Sequence, residues 1–140
     1  MRFFVILGLF ATIVLSVWVA SAAPDKQSDQ RQEQERMIEA AGKAYEASCA
    51  LWQVGAGEVT VEAIYTWSRR WAEAEAEGAA AADQLKAYTL HRDRMRNLLA
   101  TVSDRRTQGL NGGQEDRYQA ARYYLAEADY LLLKRTPDNK

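Results

Sequence analysis

The apolar residues of this chain fall into two regimes: an unbroken run near the N-terminus, then a long stretch in which they return every three or four positions. The second regime is helical, because steps of three and four keep side chains on one face of an α-helix. Ile38, Ala41, Tyr45, Cys49 and Trp52 make one such face from Met37 onward, and Gly55 and Gly57 close that first helix. Thr60 reads as the N-cap of a second helix, with Glu62 in the first turn, where a carboxylate meets the helix dipole favourably. Ile64, Trp67, Trp71 and Ala74 give this helix an aromatic stripe expected to bury against the first. Residues 77–82 contain Gly78 and predict a tight turn or a kink. A third helix carries Leu85, Tyr88, Met95, Leu99 and Val102, its seam interrupted where Arg92 occupies the expected apolar position. Beyond Gly109, Gly112 and Gly113, a fourth helix shows Tyr118, Ala121, Leu125, Ala128 and Leu132, with Tyr123 and Tyr130 widening its apolar surface before Pro137. The expected fold class is all-α, a bundle of about four long antiparallel helices.

The four helices read as two copies of one helix-turn-helix unit, over about residues 37–78 and 83–135. A shift of 52 positions sets Gly57 on Gly109, Arg70 on Arg122, Trp71 on Tyr123 and Glu62 on Gln114. The same shift sets Ala74-Glu75-Ala76 on Ala126-Glu127-Ala128.

The first regime has a different meaning. Arg2 precedes an apolar segment from Phe3 to Ala20 that only Gly8, Thr12 and Ser16 interrupt, the layout of an export signal. Ala20-Ser21-Ala22 presents the small residues a signal peptidase needs, so cleavage after Ala22 is expected. The rival is an uncleaved anchor, since the run approaches the ~20 residues that span a hydrocarbon core. The layout is therefore a signal peptide or anchor at 1–22, a polar leader at 23–35 and a helical domain at 36–136. The leader lacks an apolar face and has the composition of a tether or a frayed helix start. Cleavage leaves 118 residues (140 minus 22), one modest domain. Export of a bacterial type places that domain in the periplasm or outside the cell. An anchor would instead hold it at the inner membrane, with residues 3–23 in contact with lipid.

Charge narrows the partners. A formal net charge of −1 gives no global pull toward nucleic acid. Cys49 is the only cysteine, so no internal disulfide staples the fold, and a small buried residue is the plainer account than a reactive thiol. His91 is the only histidine, and with one cysteine it cannot assemble the usual zinc set; no metal or other cofactor is implied. Ser48, Ser68 and Ser103 lack a Gly-x-Ser-x-Gly elbow, and Glu73, Glu75 and Glu77 point to different sides of their helix. The glycines of residues 109–113 lack the lysine and preceding strand of a phosphate loop. These patterns give no sign of an enzyme.

Lys86, Arg92, Arg94, Arg96, Arg105 and Arg106 make the third helix basic, against Asp83, Asp93 and Asp104. The strip either faces an anionic lipid, envelope polymer or partner, or pairs with the acidic first and second helices. Trp52, Trp67 and Trp71 follow the core stripe, which favours packing over carbohydrate stacking.

The stretch Gly57, Val59-Thr60-Val61-Glu62, Tyr65-x-Trp67-Ser68-x-Arg70 and Ala74-Glu75 resembles the glycine-turn helical hairpins of TolC-like outer membrane efflux proteins. Arg94-Met95, Gly109 and Ala121-x-Tyr123-Tyr124-x-x-Glu127-Ala128 repeat the theme, so the likeness covers about residues 45–132. It is similar as well to small exported bacterial proteins that carry this hairpin pair alone. The segments between the helices lack the alternating pattern of barrel strands, which puts a pore in doubt. What the resemblance implies is paired coiled-coil hairpins that pack side by side or dock on similar hairpins of a partner, without catalytic residues.

The leading expectation is an exported helical interaction module of the cell envelope that binds a protein partner or itself. Its candidate surface is Trp67, Trp71, Tyr123, Tyr130, Arg92 and Arg96. A small-ligand-binding bundle would instead show a cavity near Trp67, Trp71 and Tyr123. A hydrolase of unfamiliar type would show polar groups converging on His91.

Overall fold

Helices take up nearly all of the residues that the computed structural model describes, which are 26–55, 59–109 and 114–136. They are α1 (Lys26–Gln53), α2 (Val61–Ala76), α3 (Ala81–Thr107) and α4 (Gln114–Leu133), and no strand occurs among the described residues. The all-α expectation holds at that level. The signal or anchor at 1–22, residues 23–25, Gly57, Gly112, Gly113 and Pro137 lie outside the described residues. Among the described helices none is long and apolar enough to cross a membrane.

Helix α1 begins at Lys26, well ahead of the apolar pattern at Met37, so the leader expected at 23–35 is helical from Lys26 onward. Two effects extend it. Gln, Glu and Arg are good helix formers, and Glu33 and Arg36 pair one turn apart at 3.4 Å. Gln34 also donates from Nε2 to the carbonyls of Ala74 (2.9 Å) and Glu77 (2.6 Å), tying this polar stretch to the end of α2. Hydrophobic periodicity is blind to such a contact.

Thr60 caps α2 as its sequence predicts, its Oγ1 accepting from the Ala63 amide at 3.2 Å. Gly78, with φ +66°, ends α2 and lets the chain reverse into α3. At the far end of α1, Arg105 donates to the carbonyls of Trp52 (3.0 Å) and Gln53 (3.2 Å), groups that a helix C-terminus leaves without partners.

Neighbours along the chain run antiparallel. Gly42 meets Trp71 where Gln34 meets Ala74, and Arg106 pairs with Glu115 at one end of the α3–α4 hairpin while Arg135 bonds Tyr88 at the other. Helix α2 approaches α1, α3 and α4 closely along its backbone, whereas α3 reaches α1 through the long side chains of Arg94 and Arg105. The main core gathers Trp52, Val61, Ile64, Tyr65, Met95, Leu98, Val102, Ala121 and Ala128. A smaller cluster of Ala72, Ala87 and Tyr88 lies toward the other end.

Two helices are turned relative to the face their sequence predicts. In α2, Tyr65, Ser68 and Ala72 are buried along with Ile64, while Trp67 and Trp71 sit half-buried on the flanks. In α3 the seam runs Tyr88, His91, Met95, Leu98, Val102, so His91 and not Arg92 fills the gap, and Leu98 rather than Leu99 is buried. That series keeps strict three- and four-residue steps once a histidine is admitted to the core.

The 52-residue shift superimposes helices better than faces. It carries Lys26–Gln53 onto 78–105, against the observed Ala81–Thr107, and Val61–Ala76 onto 113–128, against Gln114–Leu133. Yet buried Ile64 then meets exposed Asp116, and buried Ala74 meets exposed Ala126. The inner position of α2 demands more buried surface than the edge position of α4.

Candidate functional site

The deepest polar groups lie where α2 crosses α3. Ser68 Oγ and His91 Nδ1 are 2.8 Å apart, and neither residue has any exposed surface. Burial, with the cations of Arg94 and Arg69 nearby, pushes the His91 pKa down to about 4, so the ring is neutral at ordinary pH. Its Nε2 has no hydrogen-bond partner among the described residues.

Arg94 reaches the same place from the next turn of α3. Its guanidinium lies 3.9 Å from the centre of the Trp71 ring and 5.5 Å from that of Tyr45, and it donates to the Ser68 carbonyl at 3.3 Å. Desolvation lowers its pKa, a trend the Glu75 carboxylate opposes. Tyr45 and Trp71 are tilted against each other at 6.0 Å, and Gly42 leaves room for the Trp71 ring. The same burial raises the Tyr45 hydroxyl and the Cys49 thiol above their usual ranges, so Cys49 carries little thiolate.

A second network joins α2 to α4. Glu127 accepts from the Tyr65 hydroxyl and, at 3.0 Å, from Arg69, which also bonds Tyr65 (2.9 Å) and Glu73 (2.8 Å). Tyr65 stacks on Tyr124 with centroids 4.1 Å apart, and burial, then the Glu127 bond, moves its pKa up to about 12.

Polar groups therefore converge on His91, the arrangement expected for hydrolysis, but Ser68 and His91 are sealed from solvent. A nucleophile must meet its substrate. In this conformation the pair clasps two helices. Among the described residues no group of three His, Cys, Asp or Glu is placed to hold a metal ion.

The six candidate surface residues separate. Trp67 lines an open groove between α1 and α2 with Met37, Ala40 and Ala74, and Arg70 lies 5.0 Å over its ring. Trp71 belongs to the half-buried cluster with Tyr45 and Arg94. Arg92 and Arg96 share Asp93 at 2.9 and 3.4 Å on their own helix rather than pairing with the acidic helices. Tyr123 and Tyr130 stand on the outside of α4, 62 % and 56 % exposed. The cavity expected near Trp67, Trp71 and Tyr123 is thus not formed by these three together. The Trp67 groove has about 470 Å³, within the ~300–1,000 Å³ usual for ligand pockets, and a cleft lined by Tyr45, Trp52, Ile64 and Leu98 about 130 Å³.

The outer face of α4 carries more than the sequence reading assigned to it. Ala126 and Leu133, the latter 70 % exposed, fall in line with Tyr123 and Tyr130 at steps of three, four and three. Fully buried Ala121 and Ala128 mark the opposite side, against α3. The two tyrosines of this second stripe are legible in the spacing, and the structure adds Ala126 and Leu133 to the same line.

Comparison with protein-family models, with curated proteins and with solved structures gave no match.

Proposed function

We propose that this chain is an exported helical interaction module of the bacterial cell envelope, which associates through the outer face of α4. The observation that carries the reading is the line Tyr123, Ala126, Tyr130 and Leu133, exposed on the side of α4 away from the core. Large apolar side chains aligned at coiled-coil spacing on an open face are a surface suited to another helix. The resemblance to TolC-like hairpins, which work by helix packing, points the same way. The buried Ser68–His91 clasp favours a rigid support over a catalyst.

The test places a photo-crosslinking amino acid at Tyr130 in the native host and reads the products from its envelope by mass spectrometry. A discrete adduct is expected, lost when Tyr123→Lys is added. Absence of any adduct, or adducts indifferent to Tyr123→Lys, overturns the reading.

A further inference from the structure

We propose that the face of α4 pairs with the same face of a second copy of this chain, the two α4 helices running parallel. This rests on the reading of that face as an association surface and adds the partner and its orientation. In coiled-coil terms Tyr123 and Tyr130 occupy a, and Ala126 and Leu133 occupy d. The flanks then place Arg122 and Asp129 at g, and Glu127 and Lys134 at e.

In a parallel pair each g residue faces the e residue five positions on in the other helix. Arg122 therefore meets Glu127 of the second copy, and Asp129 meets Lys134 of the second copy. Both contacts join opposite charges, and two-fold symmetry repeats each of them. An antiparallel pair would set Tyr123 against Leu133 and Ala126 against Tyr130, bringing Asp129 near Asp129 and Glu127 near Glu127. Charge thus selects one orientation.

The groups concerned are available. Arg122 and Asp129 are exposed, and the Lys134 ammonium rests 4.6 Å over the Tyr130 ring, beside the line it would flank. Glu127 keeps 22 % of its side chain exposed while holding Arg69, and a carboxylate with about four acceptor sites has capacity left. Ala126 at d leaves the small residue at the middle of the line, so the backbones approach there. Four core positions bury less than the ~1,200 Å² of a standard interface, so the dimer is weak and depends on concentration.

Sedimentation of the purified chain up to about 1 mM, the range of weak complexes, tests this together with four variants. Expected are a monomer–dimer equilibrium and, in Ala126→Cys under mild oxidation, a bridge joining the two substituted sites, which peptide mapping separates from Cys49. Asp129→Lys and Lys134→Asp each set like charges opposite one another and weaken self-association about fivefold or more. Their equimolar mixture restores the dimer. A bridge formed instead between Ala126→Cys and Tyr130→Cys chains, or single charge variants that self-associate unchanged, overturns the parallel pairing. A monomer at every concentration overturns self-pairing altogether. If the Tyr130 photo-adduct with another protein persists alongside that monomer, the association reading survives; if no adduct forms, both fall.

Discussion

Ser68 and His91, 23 residues apart in sequence, share a hydrogen bond of 2.8 Å at a point where neither reaches solvent. The bond closes α2 onto α3 and keeps the imidazole in a place that disfavours its charged form. Stability therefore depends on pH. An unfolded His91 takes up a proton below about pH 6.5, whereas the folded one resists until about pH 4. The contribution is complete above pH 6.5 and is lost as the pH falls toward 4, on the order of 3 kcal/mol in all. Urea unfolding at pH 7.5 and at 4.5 should show this difference, and His91→Leu should flatten it. An equal slope in the variant would assign the acid sensitivity elsewhere.

Gly42 is not replaceable by alanine at a gain. Alanine favours a helix interior over glycine by about 1 kcal/mol, but a Cβ here would stand 3.3 Å from Cε2 and Cζ2 of Trp71. With Tyr45 and Arg94 against it, that ring has little room to move. The net expected for Gly42→Ala is a loss of about 1 kcal/mol, since strain in a filled site typically costs about 1–3 kcal/mol. A raised thermal midpoint would show that Trp71 relaxes freely.

Arg94 and Trp71 should be energetically coupled. A desolvated cation over an indole is worth about 2 kcal/mol, so a double-mutant cycle of Arg94→Met and Trp71→Leu should return a coupling of about 1–2 kcal/mol. Arg94→Met alone should cost about 1–3 kcal/mol, because the Trp71 ring loses its cation and the Ser68 carbonyl its donor. Additive single losses would mean that the stacking geometry contributes only contact area.

Tyr123→Lys combined with Tyr130→Lys should leave the fold intact. Both side chains point away from the core, and surface changes of this kind stay within about 0.5 kcal/mol. Circular dichroism and urea midpoints should match those of the parent while association is lost. A large drop in stability would make these tyrosines part of the folded unit instead.

Helix number, the turns at Gly55, Gly78 and Gly109, the Thr60 cap and the inner face of α4 were all legible from the sequence, because each rests on local chemistry. What escaped was the rotation of α2 and α3. Trp67 and Trp71 dominate any estimate of hydrophobicity, yet bulky amphipathic rings suit the flanks, and the line between helices that approach closely went to Ser68 and Ala72. The core place of His91 is not legible in the spacing, since a lone histidine interrupts an apolar pattern until its Ser68 partner is known. The beginning of α1 escaped for a related reason: Gln34 holds it through carbonyls 40 and 43 residues away. The outer line of α4 was half seen, through its two tyrosines alone.

The position of α2 bears on how the bundle comes apart. This helix lies between the others, joined closely to α1, to α3 through Ser68 and His91, and to α4 through Arg69 and Glu127, so it cannot be released without dissolving the whole. Its amide hydrogens should then exchange with solvent only through complete unfolding, and they should set the slowest rates in the molecule. The first two turns of α1, exposed along every side, should exchange by fraying, orders of magnitude sooner. The molecule is thereby graded from a labile end to an unyielding middle, with the line through Tyr123 and Leu133 carried on a helix that rests against the firmest part.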